Sequence, residues 1–315
     1  MKNNILYLIA KSARPRQWIK NISLYAALIF SGFFFYQPAN EPAYFFTVTF
    51  AVLVFCLLTS SIYIINDIID READRLHPFK KKRPIASGAL SIPVAITVAS
   101  LGLVLVFLMS LFLSPFFRLT VAGYFLLQIL YATHLKHVAI IDVLSIASGF
   151  LLRIYAGAVV VNLHTSVWFL LTVLSASLFL AVGKRQSERT LMEGKEVGET
   201  RKTLKRYSQR LLDQYTGMFA NATWLTYALF AFQTEAVSPA GSFLKLYTFL
   251  PKTLQSQKLL MATVPLVIFG VMRYLQLIYE DNKGESPEKV VLRDKPLLTA
   301  IFLFGLVTMV VLYAL

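Results

Sequence analysis

Asn66-Asp67-Ile68-Ile69-Asp70-Arg71-Glu72-Ala73-Asp74-Arg75 follows directly on a long apolar run and sets three aspartates at i, i+3 and i+7. If the helix expected for that run continues through them, all three carboxylates share one face. Three like charges packed together at the edge of a membrane repel one another unless they share a cation. Carboxylate oxygens at this spacing suit Mg²⁺, which binds one or two carboxylates and completes its shell with water and substrate phosphates. The pattern predicts a site for a magnesium-bound diphosphate, with Asp67, Asp70 and Asp74 as metal ligands. The plainer reading is a solvated, acidic helix end. The basic residues that follow speak against it.

The surrounding composition is that of a membrane protein. Of 315 residues, 57% are hydrophobic and only 15% charged, where a soluble domain carries roughly 25% charged. The apolar residues fall into blocks close to the ~20 residues a helix needs to cross the hydrocarbon core. Nine such spans are expected, at 18–37, 45–66, 91–113, 116–134, 138–160, 163–183, 211–234, 259–280 and 296–315. The blocks lack the alternation of a barrel strand, so the expected fold is all-α and polytopic. One membrane domain over 1–315 is expected, with catalytic loops at 67–90 and 184–210.

A net charge of +14 is in the range of nucleic-acid-binding proteins, but its distribution explains it otherwise. With nine spans, 26 of the 31 Lys and Arg fall on one side, four on the other, and Arg153 lies inside a span. This is the asymmetry that sets membrane orientation. It puts the N-terminus and both catalytic loops in the cytoplasm of a cell-membrane protein, and no nucleic-acid partner is expected. The apolar stretch 5–10 is too short for a secretory signal, so span one is expected to serve as an uncleaved anchor. Cys56, the single cysteine, has no partner for a disulfide or a metal site and reads as a small buried hydrophobe.

Beyond the aspartates, four groups of residues carry candidate chemistry. Arg75, His77, Lys80 and Arg83 follow the acidic face, and cations there can hold phosphate oxygens directly while the carboxylates act through the metal. Lys80–Lys82 also fit a topogenic or headgroup patch. A second group is Tyr131, Lys136 and Asp142, where spans four and five meet the cytoplasm. Arg153 lies three turns beyond Asp142, about 16 Å deeper, where an ionisable residue is a functional hypothesis by default. A third group is Lys184 and Arg185 at the end of span six, and a fourth is Arg14, Gln17 and Lys20, with Trp18 as an interfacial anchor. Zinc is not expected, since the four histidines pair with neither one another nor a cysteine. Neither a phosphate-binding glycine loop nor a nucleophile elbow is present.

These residues resemble the UbiA family of intramembrane prenyltransferases. Asn66-Asp67-x-x-Asp70-x-x-x-Asp74 matches that family's first aspartate motif, Arg83-Pro84-Ile85-Ala86-Ser87-Gly88 matches the segment after it, and the order of nine helices matches along the chain. Within the family, Arg14-Pro15-Arg16-Gln17-Trp18-Ile19-Lys20-Asn21, Ser148-Gly149-Phe150-Leu151-Leu152-Arg153 and Gly183-Lys184-Arg185 are similar to one branch. That branch moves 5-phosphoribosyl from phosphoribosyl diphosphate to a polyprenyl phosphate of the decaprenyl type. The resemblance implies a Mg²⁺-dependent glycosyltransferase with Asp67, Asp70, Asp74 and Asp142 as catalytic carboxylates. It assigns substrate binding to Arg14, Gln17, Lys20, Asn66, Arg75, His77, Lys80, Arg83, Tyr131, Lys136, Arg153, Lys184 and Arg185.

The alternative within the same fold is transfer of an isoprenyl group from an allylic diphosphate to an aromatic acceptor such as a quinone precursor. Both reactions ionise a carbon–diphosphate bond and need the same departing-group site. The chain departs from the family pattern at the second motif, where Ile146 stands in place of the second carboxylate after Asp142. A channel or transporter would have no use for an intact aspartate and arginine set. Expected partners are the two substrates and membrane lipids, and an oligomer is compatible with the sequence.

Overall fold

A computed structural model describes residues 4–39, 41–76, 80–190, 207–234, 258–280, 290 and 293–314. The helices are α1 (Ile5–Ala13), α2 (Tyr25–Phe30), α3 (Tyr44–Ile69), α4 (Arg71–Leu76), α5 (Ile92–Ser110) and α6 (Pro115–Thr133), then α7 (Ile141–Val160), α8 (Val167–Thr190), α9 (Gln209–Gln233), α10 (Val264–Tyr279) and α11 (Lys295–Met309). The described residues contain no strand. They fall into two compact units, 1–145 with 152–164 and 146–151 with 165–315.

Among the described residues, seven helical segments are long and apolar enough to cross a membrane, and they coincide with seven of the nine expected spans. The protein is a multi-pass membrane protein. The other two segments differ for readable reasons. Over 18–37 the chain forms a 3₁₀ helix, Pro15–Leu24, that passes into the six-residue α2. Because a 3₁₀ helix rises ~2.0 Å per residue against ~1.5 Å for an α-helix, this stretched segment still covers about 29 Å. Polar Gln17, Lys20, Asn21 and Ser23 lower its hydropathy, and Asn21 is fully buried against α3 side chains. The expected span at 211–234 is the 25-residue α9, long enough to cross but interrupted by Asp213, Gln214, Asn221 and several threonines.

In the first unit the core is built on α3. Leu24, Leu28, Val54, Phe55, Leu58, Phe117 and Ala156 are buried together, and the Phe55 ring lies 5.9 Å from Phe117 and 5.3 Å from Tyr124. Lipid tails are as apolar as these side chains, so close packing rather than water exclusion holds such helices together. Glycine makes that approach possible. A Cβ at Gly157 of α7 would stand 1.9 Å from the Leu24 carbonyl oxygen, and one at Gly102 of α5 would stand 2.2 Å from Ser61 Oγ. The second unit has its own core, with Phe179, Ala220, Tyr274, Leu277, Ile278 and Leu297 buried together.

Candidate active site

The aspartate segment does not continue as one helix. α3 ends at Ile69, Asp70 caps it at φ −84° and ψ 4°, and α4 restarts at Arg71. The Asp74 amide still donates to the Asp70 carbonyl at 2.8 Å, so the break is small. Its effect is to sort the carboxylates. Asp67 and Asp74 are buried, while Asp70 is partly exposed.

Each carboxylate meets a cation, from nine to 66 residues away in sequence. Arg83 Nη1 donates to Asp67 Oδ1 at 3.1 Å and to Asp74 Oδ2 at 2.5 Å. Arg14 donates to the same Asp67 oxygen. Lys136 Nζ lies 2.5 Å from Asp70 Oδ1. Local structure explains how each cation is held. Arg14 adopts a left-handed φ of 52° between α1 and the 3₁₀ helix and sits 5.1 Å over the Tyr63 ring. Arg83 opens a turn closed by the Leu90 amide on the Pro84 carbonyl at 2.9 Å, with Ile85 buried and Gly88 at φ 79°. Arg75 braces the same turn by donating from Nε to the Ala86 carbonyl at 3.1 Å. Lys136 lies in the 3₁₀ turn Leu135–His137 between α6 and α7.

The three aspartates do not gather at one point, and no group of three metal-ligating side chains is preformed among the described residues. The donor set nevertheless fits a divalent metal. The oxygens are hard, Asp67 and Asp74 are shielded from water, and a cationic nitrogen already stands between them, which marks a position where positive charge is favourable.

The remaining expected residues divide. Asp142 is buried in the first turn of α7, just after Ile140, whose φ of 69° is costly for a β-branched residue. Arg153 is buried and donates from Nε to Asn21 Oδ1 at 3.1 Å and from Nη2 to Tyr124 OH at 2.5 Å, with its guanidinium 4.9 Å over the Tyr124 ring. Gln17 and Lys20 lie on the 3₁₀ segment, Lys80 opens the turn 80–82, Tyr131 is on the last turns of α6, and Asn66 is one residue before Asp67 on α3. His77 lies outside the described residues. In the second unit Arg185 is buried against Glu188 at 2.6 Å, and the half-buried Lys184 pairs with no described residue.

Two residues escaped the sequence reading. Tyr63 stands one turn before Asp67, and helical spacing from that aspartate is the signal that could have found it. Asn21 was quoted only as part of a motif, yet it receives Arg153 and donates to Thr59 Oγ1 at 3.2 Å. Trp18, expected as an interfacial anchor, also donates to Ser60 Oγ at 2.9 Å, which pins the 3₁₀ segment to α3.

The UbiA prenyltransferase family matches residues 24–293, and the chain belongs to that family. It is 36% identical over 299 residues to the decaprenyl-phosphate phosphoribosyltransferase of Mycolicibacterium smegmatis, covering 93% of this chain and 89% of that one. It is 33% identical over 290 residues to the enzyme of the same name from Corynebacterium glutamicum, covering 91% and 81%. The fold is shared with a UbiA homologue from Archaeoglobus fulgidus bound to GPP and Mg²⁺, at a TM-score of 0.67 and 17% identity over 97% of this chain and 99% of that one.

Proposed function

We propose that this protein transfers 5-phosphoribosyl from phosphoribosyl diphosphate to a polyprenyl phosphate, with release of diphosphate. The observation that carries the reading is the 36% identity to a decaprenyl-phosphate phosphoribosyltransferase along almost the whole length of both chains. The site chemistry agrees with it. Breaking the bond from C1 of the ribose to diphosphate leaves an electron-poor sugar carbon and a highly charged leaving group, so catalysis consists chiefly of stabilising that charge.

Asp67, Asp70 and Asp74 would hold Mg²⁺, which when bound neutralises the departing diphosphate as a Lewis acid. Arg14, Arg83 and Lys136 now rest on those carboxylates. With those carboxylates holding a metal, Arg14, Arg83 and Lys136 would be the residues to hold the phosphate oxygens directly. The Mg²⁺ in the Archaeoglobus homologue supports the choice of metal. The family match spans both compact units, which supports one functional domain over the whole chain. The polyprenyl chain would lie along the lipid-facing surface with its phosphate at the cytoplasmic end. The orientation reading rests on the distribution of basic residues.

The test is transfer of label from ribose-labelled phosphoribosyl diphosphate into lipid by purified protein with Mg²⁺ and a polyprenyl phosphate. Transfer that stops in excess EDTA and returns with Mg²⁺ is the expected result. Consumption of an allylic diphosphate with an aromatic acceptor, and none of phosphoribosyl diphosphate, would replace this reading with the alternative.

A further inference from the structure

The 3₁₀ segment Pro15–Leu24 is 10 residues long, where such helices seldom exceed roughly three or four residues. Its side chains explain the conformation. Three residues per turn place Trp18, Asn21 and Leu24 on one line along the segment. Wound as an α-helix the chain would turn about 100° per residue, and Leu24 would point about 120° away from Trp18. All three lie against α3. Trp18 Nε1 donates to Ser60 Oγ at 2.9 Å, Asn21 Nδ2 donates to Thr59 Oγ1 at 3.2 Å and to Cys56 Sγ at 3.4 Å, and Leu24 is buried in one cluster with Phe55.

On α3, Cys56, Thr59, Ser60, Tyr63 and Asp67 recur at helical spacing and form one stripe. The 3₁₀ segment runs along this stripe in the opposite direction, and Arg14, directly before it, reaches the far end. Arg14 lies 5.1 Å over the Tyr63 ring and donates to Asp67. Its left-handed backbone, at φ 52°, is one that an arginine keeps only where its surroundings hold it. The Gln17 amide closes the first 3₁₀ turn on the Arg14 carbonyl at 2.9 Å.

Asn21 fixes the register of the segment. It is fully buried. A guanidinium can only donate, so Asn21 Oδ1 faces Arg153 Nε, at 3.1 Å, and Nδ2 is left to face α3. The Thr59 hydroxyl donates to the Phe55 carbonyl at 2.8 Å and so presents a lone pair to that amide. Arg153 Nη2 in turn donates to Tyr124 OH at 2.5 Å. No other uncharged side chain of this length offers an acceptor to α7 and two donors to α3 at once. The Cys56 end of the stripe is about 16 Å from Asp67.

We infer that Asn21 is a positioning residue that acts through Arg14, setting where the Arg14 guanidinium stands at the diphosphate site. Trp18 serves the same end by pinning the segment, and Arg153 by orienting Asn21 rather than by holding phosphate. The inference rests on the proposed function only through Arg14, whose task at a departing diphosphate is the same for a sugar or an isoprenyl donor.

The experiment is a set of double-mutant cycles on the purified protein with Mg²⁺, phosphoribosyl diphosphate being varied at saturating polyprenyl phosphate. Arg14→Ala should lower kcat/KM for the diphosphate roughly ten- to a hundred-fold, the worth of a hydrogen bond to a charged group. Asn21→Ala should lower it about ten-fold by displacing the same guanidinium, and Trp18→Phe by a smaller factor. In the Arg14→Ala background these two substitutions, and Arg153→Met, should each change kcat/KM by less than about two-fold. A residue that merely supports the fold would cost the same in either background. Where Asn21→Ala does not fold, Asn21→Leu combined with Arg153→Met removes both partners of the buried bond and carries the test. Losses that multiply with that of Arg14→Ala would overturn the inference, and so would an Arg14→Ala variant as active as wild type. If wild type ignores phosphoribosyl diphosphate and consumes an allylic diphosphate, the functional reading falls, and the same cycles run on the allylic substrate decide the inference.

Discussion

Lys136 Nζ lies 2.5 Å from Asp70 Oδ1, joining the turn between α6 and α7 to the end of α3 across 66 residues of sequence. The pair is the partly exposed member of the carboxylate cluster. Lys136→Met and Asp70→Asn should each lower kcat/KM for the diphosphate substrate, and their effects should be coupled. Residues in direct contact typically show interaction energies of about 0.5–3 kcal/mol in a double-mutant cycle. Strictly additive losses would show that the two side chains act independently.

Arg83 is a stability residue as well as a phosphate-binding candidate. Its Nη1 serves both buried carboxylates, so Arg83→Ala leaves Asp67 and Asp74 with one cation fewer. Removing one partner of a buried pair costs about 3–5 kcal/mol. Thermal unfolding in detergent should show a clear drop for Arg83→Ala, and a second substitution, Asp74→Ala, should restore part of the loss. If Arg83→Ala melts like wild type, the ion pairs carry no net stabilisation.

Gly157 lets α7 approach the end of the 3₁₀ segment that follows Arg14. A Cβ there collides with the Leu24 carbonyl at the end of the 3₁₀ segment that begins directly after Arg14. Gly157→Ala must therefore push that segment away from α7 and disturb the Asn21 bonds to Arg153 and Thr59. The expected outcome is reduced activity together with a lower melting temperature, whereas Gly217→Ala, where a Cβ meets nothing within 4 Å, should leave both near wild type. Equal behaviour of the two variants would refute the close packing.

How far the sequence disclosed this site follows from the range of its interactions. The aspartate spacing and the apolar blocks are local patterns, and they pointed to the carboxylates and to the seven helices that coincide with expected spans. The break at Asp70 was not visible, because no glycine or proline marks it. The pairing of Arg14 with Asp67, or of Lys136 with Asp70, depends on tertiary packing and leaves no periodicity to read. The same holds for the first span. Its polar residues looked like a weak membrane segment, and only the structure shows Asn21 satisfied by Arg153 and Thr59.

Orientation can be read with two cysteines placed at opposite ends of α3. Glu41 and Glu72 are both exposed, and α3 between them is 26 residues long, or about 39 Å. In intact cells of a Cys56→Ala background, Glu41→Cys should react with an impermeant thiol reagent, and Glu72→Cys should react only after permeabilisation. The opposite labelling would put the aspartates on the outer face, away from any cytosolic sugar diphosphate.

Release of diphosphate at the aspartate site while the phosphoribosyl group passes to lipid can be followed with phosphorus label at two positions. Purified protein would be given Mg²⁺, a polyprenyl phosphate and phosphoribosyl diphosphate labelled either in the 5-phosphate or in the terminal phosphate of the diphosphate. The 5-phosphate label should enter the lipid phase, and the diphosphate label should stay in water as inorganic diphosphate, one equivalent for each lipid modified. Asp67→Asn should abolish both movements. Terminal-phosphate label in the lipid, or no 5-phosphate label there while diphosphate is released, would contradict the proposed transfer.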